Sequence, residues 1–144
     1  MNKTAIAIVL AGGVFAAALT TTVGAQATRS ANEGVFTADQ ATKGDAVYKE
    51  QCAACHGDNL EGSGPMPPLA GKDFLANWGG KTVGDLYEKT QTTMPATAPG
   101  TLSPEQAADV VAFLLSKDNY PTGSAALEGK MEPLLQIKID APKQ

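Results

Sequence analysis

Cys52-Ala53-Ala54-Cys55-His56 is the stretch on which the fold of this 144-residue chain turns. Two thiols three positions apart can each add to a vinyl group of one porphyrin, while the His that follows can put an imidazole nitrogen on the iron from the same side. The chain has 2 Cys and 1 His, and all of them are here. The pentapeptide therefore reads as a covalent attachment site for a c-type haem. Other uses of the spacing fit less well. Zinc wants about four ligands, and with Cys and His supplying three, Asp58 would have to complete the set. A thioredoxin-like pair wants its CxxC at the end of a strand in a βαβ pattern, whereas the residues before Cys52 are helical in period. A disulfide across so short a loop would constrain little of the unfolded chain.

Upstream of the pentapeptide, Thr37 with Gln40 predicts a capping box at a helix start. Gly44, Tyr48 and Cys52 then recur every four residues and share one helix face. A Gly there costs about 1 kcal/mol relative to Ala, which predicts close approach of another helix. Downstream, Gly57, Gly62, Gly64, Pro65, Pro67, Pro68 and Gly71 exclude a helix or central strand. This loop can wrap a flat ligand, with Leu69 against its face and the Pro67 carbonyl free to accept from the second ring nitrogen of His56.

Further along, Lys72 to Trp78 predicts a short helix closed by Gly79 and Gly80. Trp78 is the single Trp; its ring suits the core and its indole N–H could reach a haem propionate. Thr82 is expected to cap a helix from Val83 to about Thr92, which leads into the turn-forming loop from Thr93 to Gly100. The last helix is the best marked, with Ser103 as N-cap, Pro104 first and Gln106 closing a capping box. Its apolar face is Ala107, Val110, Val111, Phe113 and Leu114, stopped at Asn119 to Pro121. Gly44 and Tyr48 are expected to meet Val110 and Phe113.

At the front, Lys3, an apolar run from Ala5 to Leu19, and Ala25-Gln26-Ala27 read as a cleavable secretory signal, residues 1–27. The run is short of the roughly 20 residues of a spanning helix, so no membrane span is expected after cleavage. Residues 28–36 lack periodicity and are expected to be a linker, 37–120 the haem domain, and 121–144 an extension free to lie on that domain or on a partner. Within that extension Ile137 to Asp140 alternate like a strand. The formal net charge is −4, which provides no basic footprint for nucleic acid.

These features together resemble a class I c-type cytochrome of the mono-haem, bacterial periplasmic kind. The resemblance rests on the CxxCH pentapeptide, the segment from Pro67 to Gly71, Met94 with Pro95, and the pairing of Gly44 and Tyr48 with Val110 and Phe113. It implies an all-α fold of three to five helices around one covalently attached haem c, with His56 and Met94 as metal ligands. Local reasoning also favours Met94, since Met1 leaves with the signal, Met131 lies past the last helix and Met66 is only ten residues after His56. Cofactor contacts are then expected from Cys52, Cys55, His56, Pro67, Leu69, Trp78 and Met94, and no catalytic residue is assigned. The implied role is a periplasmic one-electron carrier, not an enzyme, with a dehydrogenase as donor and an oxidase or reductase as acceptor. A subunit docked on a dehydrogenase, such as a quinoprotein alcohol dehydrogenase, is the alternative. A five-coordinate haem enzyme or sensor would require Met94 to be displaced. Mitochondrial members are lysine-rich around the haem edge and this chain is acidic, so their partners do not carry over.

Overall fold

The first long helix, α1 (Ala38–Gln51), begins where Thr37 Oγ1 accepts the Gln40 N–H at 3.1 Å. In the computed structural model, which describes residues 29–143, only this half of the expected capping box forms. The Gln40 side chain turns inward instead, its Nε2 donating to the Leu127 carbonyl at 3.0 Å and its Oε1 accepting the Leu127 N–H at 2.8 Å. A buried amide needs both partners, and a main-chain pair from the far end of the chain supplies them. The expected signal, residues 1–27, lies outside the described residues.

Helix α1 packs across α5 (Pro104–Lys117). A side chain at Gly44 would overlap the Asp109 carbonyl, so only Gly lets the two backbones come this close. One turn on, the Tyr48 and Phe113 rings tilt together with centroids 5.2 Å apart. The expected partners were Val110 and Phe113; Val110 is buried, while the atoms facing Gly44 are the Asp109 carbonyl and Phe113 Cβ. Helix α5 carries the capping box read from its sequence, with Ser103 and Gln106 exchanging bonds of 3.1 and 2.9 Å. All five residues of its apolar face are buried.

A one-turn helix, α2 (Ala53–His56), follows Cys52 directly. The Gly- and Pro-rich loop then folds on itself through Gly62 N–H to the His56 carbonyl at 2.8 Å and Leu69 N–H to the Leu60 carbonyl at 2.9 Å. It leads to α3 (Gly71–Trp78) and α4 (Val83–Thr93). Thr82 caps α4 as expected, and Asp85 completes an unforeseen capping box by accepting the Thr82 N–H at 2.7 Å.

The two ends of the described chain depart most from the sequence reading. Residues 29–36, expected to be a linker, are built into the fold: β1 (Arg29–Ser30) is followed by a 3-10 turn at Ala31–Glu33, and Ala31, Val35 and Phe36 are buried. Their partners come from the far end. Gly123 N–H donates to the Phe36 carbonyl at 2.7 Å, and β1 pairs in parallel with β2 (Ile137–Lys138), Arg29 opposite Ile137. Between them Leu127, Leu134 of the short helix α6 (Met131–Leu134), Ile137 and Ile139 are buried, with Ile139 bonded to both Gly80 and Lys81. Residues 121–143 thus lie against this chain's own helices. Burying each of those four side chains contributes about 2 kcal/mol. The result is a mostly helical fold in which four helices of eight residues or more carry the core. Among the described residues no helix is long and apolar enough to cross a membrane.

Candidate functional site

The last turn of α1 and the single turn of α2 bring the pentapeptide to one place. Cys52 is half-buried and Cys55 exposed, and both are free thiols. Burial, with Cys55 adding, pushes the Cys52 thiol up to about 11, so it stays protonated at neutral pH and is slow to enter a disulfide. Beside them Tyr48 Oη donates to the Gly57 carbonyl at 2.7 Å and fixes the exit from α2. Burial pushes that hydroxyl up to about 12, so it remains a donor.

His56 is 7% exposed, and its Nδ1 lies 2.9 Å from the Pro67 carbonyl. A carbonyl can only accept, so the proton sits on Nδ1 and the Nε2 lone pair is left for a metal. Among the described residues Nε2 has no hydrogen-bond partner and is not sealed from its surroundings. Pro67 is exposed, whereas Leu69 is half-buried against the core. Two bonds pin their segment: Leu69 N–H to Leu60, and Gly71 N–H to Asp118 Oδ1 at 2.6 Å.

Met94 and Trp78 arrive from other elements. Met94 is half-buried at the end of α4, its N–H donating to the Thr90 carbonyl at 3.2 Å. Trp78, also half-buried, ends α3 with the Lys81 ammonium 4.8 Å from its ring centroid. This cation–π contact was not foreseen. Among the described residues no hydrogen bond joins Met94 or Trp78 to the Cys52 to His56 segment.

The donor set can be tested against the two metal chemistries weighed from sequence. No group of three or more His, Cys, Asp or Glu able to hold a metal ion is gathered among the described residues, so a bare ion such as zinc lacks its cage. Two unpaired thiols beside one oriented imidazole instead fit a group that brings its own equatorial ligands, which is what a haem does. Sequence reading missed one contributor, Asp118. Nothing in a lone Asp after a helix distinguishes it from an ordinary polar residue at a helix end.

Comparison with known proteins adds to this geometry. Residues 39–114 match the family described as cytochrome c oxidase, cbb3-type, subunit III. Thiosulfate dehydrogenase of Stutzerimonas stutzeri (strain A1501) is 35% identical over 97 residues, 62% of this chain and 31% of that protein. The cbb3-type cytochrome c oxidase subunit CcoP of Azospirillum brasilense is 33% identical over 101 residues, 59% of this chain and 33% of that one. Cytochrome c of Nigella damascena is 27% identical over 99 residues, 54% of this chain and 89% of that one. The matched region thus spans about a third of the length of the first two. Among solved structures, the sulfane dehydrogenase SoxCD from Paracoccus pantotrophus matches with a TM-score of 0.52 and 25% identity, over 74% of this chain and 61% of that one.

Proposed function

We infer the function from one premise: this chain belongs to the cytochrome c family, through the cbb3-type subunit III match over residues 39–114, and its cofactor is covalently bound haem c. The chain has the electron-transfer role of that family. Beyond this, our proposal is an exported, periplasmic one-electron carrier that is not itself an enzyme. Cys52 and Cys55 form the two thioethers, His56 Nε2 is the proximal ligand and Met94 sulfur the distal one. The observation that carries the assignment is the 2.9 Å contact of His56 Nδ1 with the Pro67 carbonyl, which commits the imidazole to offering its other nitrogen.

When bound, the haem supplies one-electron chemistry. His56 and Met94 are both neutral donors able to serve either oxidation state, so little has to move when an electron arrives, and the thioether favours the reduced form. With His56 and Met94 as its two protein ligands, the iron would offer no open position to a substrate. Leu69 would cover the cofactor and exclude water, and the Trp78 N–H would be available to donate to a propionate. The exposed edge near Cys55 is where partners come close.

Two of the relatives are named as dehydrogenases, one of thiosulfate and one of sulfane. That supports a dehydrogenase of inorganic sulfur compounds as electron donor, with an oxidase or reductase as acceptor. It also supports a second reading, in which the chain is a cytochrome subunit of such an enzyme. Docking through the segment after Thr122 is disfavoured, because Leu127, Leu134, Ile137 and Ile139 are already buried against this chain's own core.

The deciding experiment is export in a host that attaches haem, followed by mass spectrometry and absorption spectra of parent and Met94→Ala. We expect the parent to gain the mass of one haem and to show the far-red band of sulfur-to-iron ligation. Met94→Ala should lose that band, bind carbon monoxide and have a lower potential. An unmodified parent mass would end the proposal, and an unchanged potential and band in Met94→Ala would end the ligand assignment.

A further inference from the structure

Where α5 ends, a carboxylate is buried with one oxygen unanswered. Asp118 is 4% exposed, its Oδ1 accepts the Gly71 N–H at 2.6 Å, and its Oδ2 is sealed from solvent with no partner among the described residues. It is also the C-cap of α5, its N–H bonded to the Leu114 and Leu115 carbonyls, so a negative charge sits against the negative end of that helix. A buried anion at such a place is costly unless it is paired, hydrogen-bonded or neutralised by a proton.

Among the described residues no cation pairs with it. Lys117, its neighbour in sequence, holds its ammonium 5.4 Å over the Phe113 ring. From α3 the flanking charges are Lys72, which is exposed, and Asp73, and none of the ion pairs among the described residues includes Asp118. From the segment after α5 it faces Tyr120, whose hydroxyl donates to the Asp140 carbonyl. The compensation comes from α3 instead. The methyl group of Ala70 at that N-cap offers no acceptor, and Asp118 supplies the missing one from the end of another helix.

Gly71 lies four residues after Pro67, on the segment whose carbonyl orients His56. We propose that Asp118 is a positioning residue for His56, clamping the 62–71 segment onto the end of α5, and that its carboxyl takes up a proton when the site is reduced. The electron comes from the redox partner and the proton from bulk water onto Oδ2; on oxidation both leave, so the buried charge changes little. Burial pushes the carboxyl up to about 6, opposed by the Gly71 N–H, which places its titration within reach of neutral pH. The inference rests on haem being held at Cys52, Cys55 and His56.

The test is the midpoint potential of the haem-loaded parent and of Asp118→Asn, measured from about pH 5 to about pH 8. The parent midpoint should fall as pH rises, with its bend where Asp118 titrates. Asp118→Asn keeps the acceptor for Gly71 and should lose that bend. Infrared difference spectra of the parent, reduced minus oxidised, should show a protonated-carboxyl band absent from Asp118→Asn. Amide exchange at Gly71 should stay slow in Asp118→Asn and become fast in Asp118→Leu, which separates the clamp from the proton. A parent with a flat potential and no carboxyl band, or an Asn variant that keeps the bend, overturns the proton uptake. Slow exchange at Gly71 in Asp118→Leu overturns the clamp. If Asp118→Asn does not accumulate, the parent potential and infrared band decide alone. A parent with attached haem and the far-red band but no pH response sinks this inference and spares the functional assignment, whereas a parent without haem sinks both.

Discussion

The crossing of α1 on α5 and the clasp between the chain's two ends both bury apolar side chains, but they are specified by opposite means. At the crossing, two periodic faces meet and a Gly lets the backbones close, so side-chain spacing settles the geometry. In the clasp, single anchors such as Leu134 and Ile139 are set by individual main-chain bonds, Gly123 to Phe36 and Ile139 to Lys81 among them. The lesson is that the first region should be vulnerable to added volume and the second to lost volume or lost polar partners.

Gly44→Val attacks the crossing and should have the largest effect, a loss of about 4 kcal/mol, above the usual overpacking range because the obstruction is backbone. Chemical denaturation of the haem-loaded protein measures it, and a variant melting like the parent would break the comparison. Ile139→Ala attacks the clasp and should cost about 3 kcal/mol by cavity formation, while leaving the absorption spectrum of the site unchanged. Gln40→Ala touches both regions at once, since that side chain links α1 to Leu127; about 2 kcal/mol should be lost because two main-chain groups are left unpaired. Amide exchange at Leu127 should quicken in the same variant.

The smallest expected change sharpens the contrast with a polar group that is only half satisfied. Asp118 titrates higher in the folded chain than unfolded, so between about pH 4 and about pH 6 the folded form binds more protons and stability falls as pH rises. Asp118→Asn removes this loss and should be more stable than the parent at neutral pH by roughly 1 to 2 kcal/mol. The gain should vanish near pH 4, where both chains are uncharged at that position.

The same contrast governs what could be read in the sequence. Helix α5 was legible from end to end because Ser103, Pro104 and Gln106 act within one turn and its apolar face repeats locally. The proposed attachment site could be read from sequence because its chemistry depends on five adjacent residues, and the Pro67 partner of His56 was legible because a Gly- and Pro-rich loop has carbonyls to spare. Residues 29–36 were misread as a linker because what buries Val35 and Phe36 lies some ninety residues away, and no local period announces it. Gln40 misled for the same reason, its pattern with Thr37 fitting a cap while its side chain served a distant segment. Asp118 became visible only once the start of α3 and the end of α5 were seen to meet.

The pairing of β1 with β2 carries a consequence for synthesis. Arg29 is made long before Ile137, so this strand pair cannot form until Ile137 has emerged, a long-range closure of the kind that slows folding. Throughout that interval Cys52 and Cys55, made about eighty residues before Ile137, belong to a chain whose two ends are not yet joined.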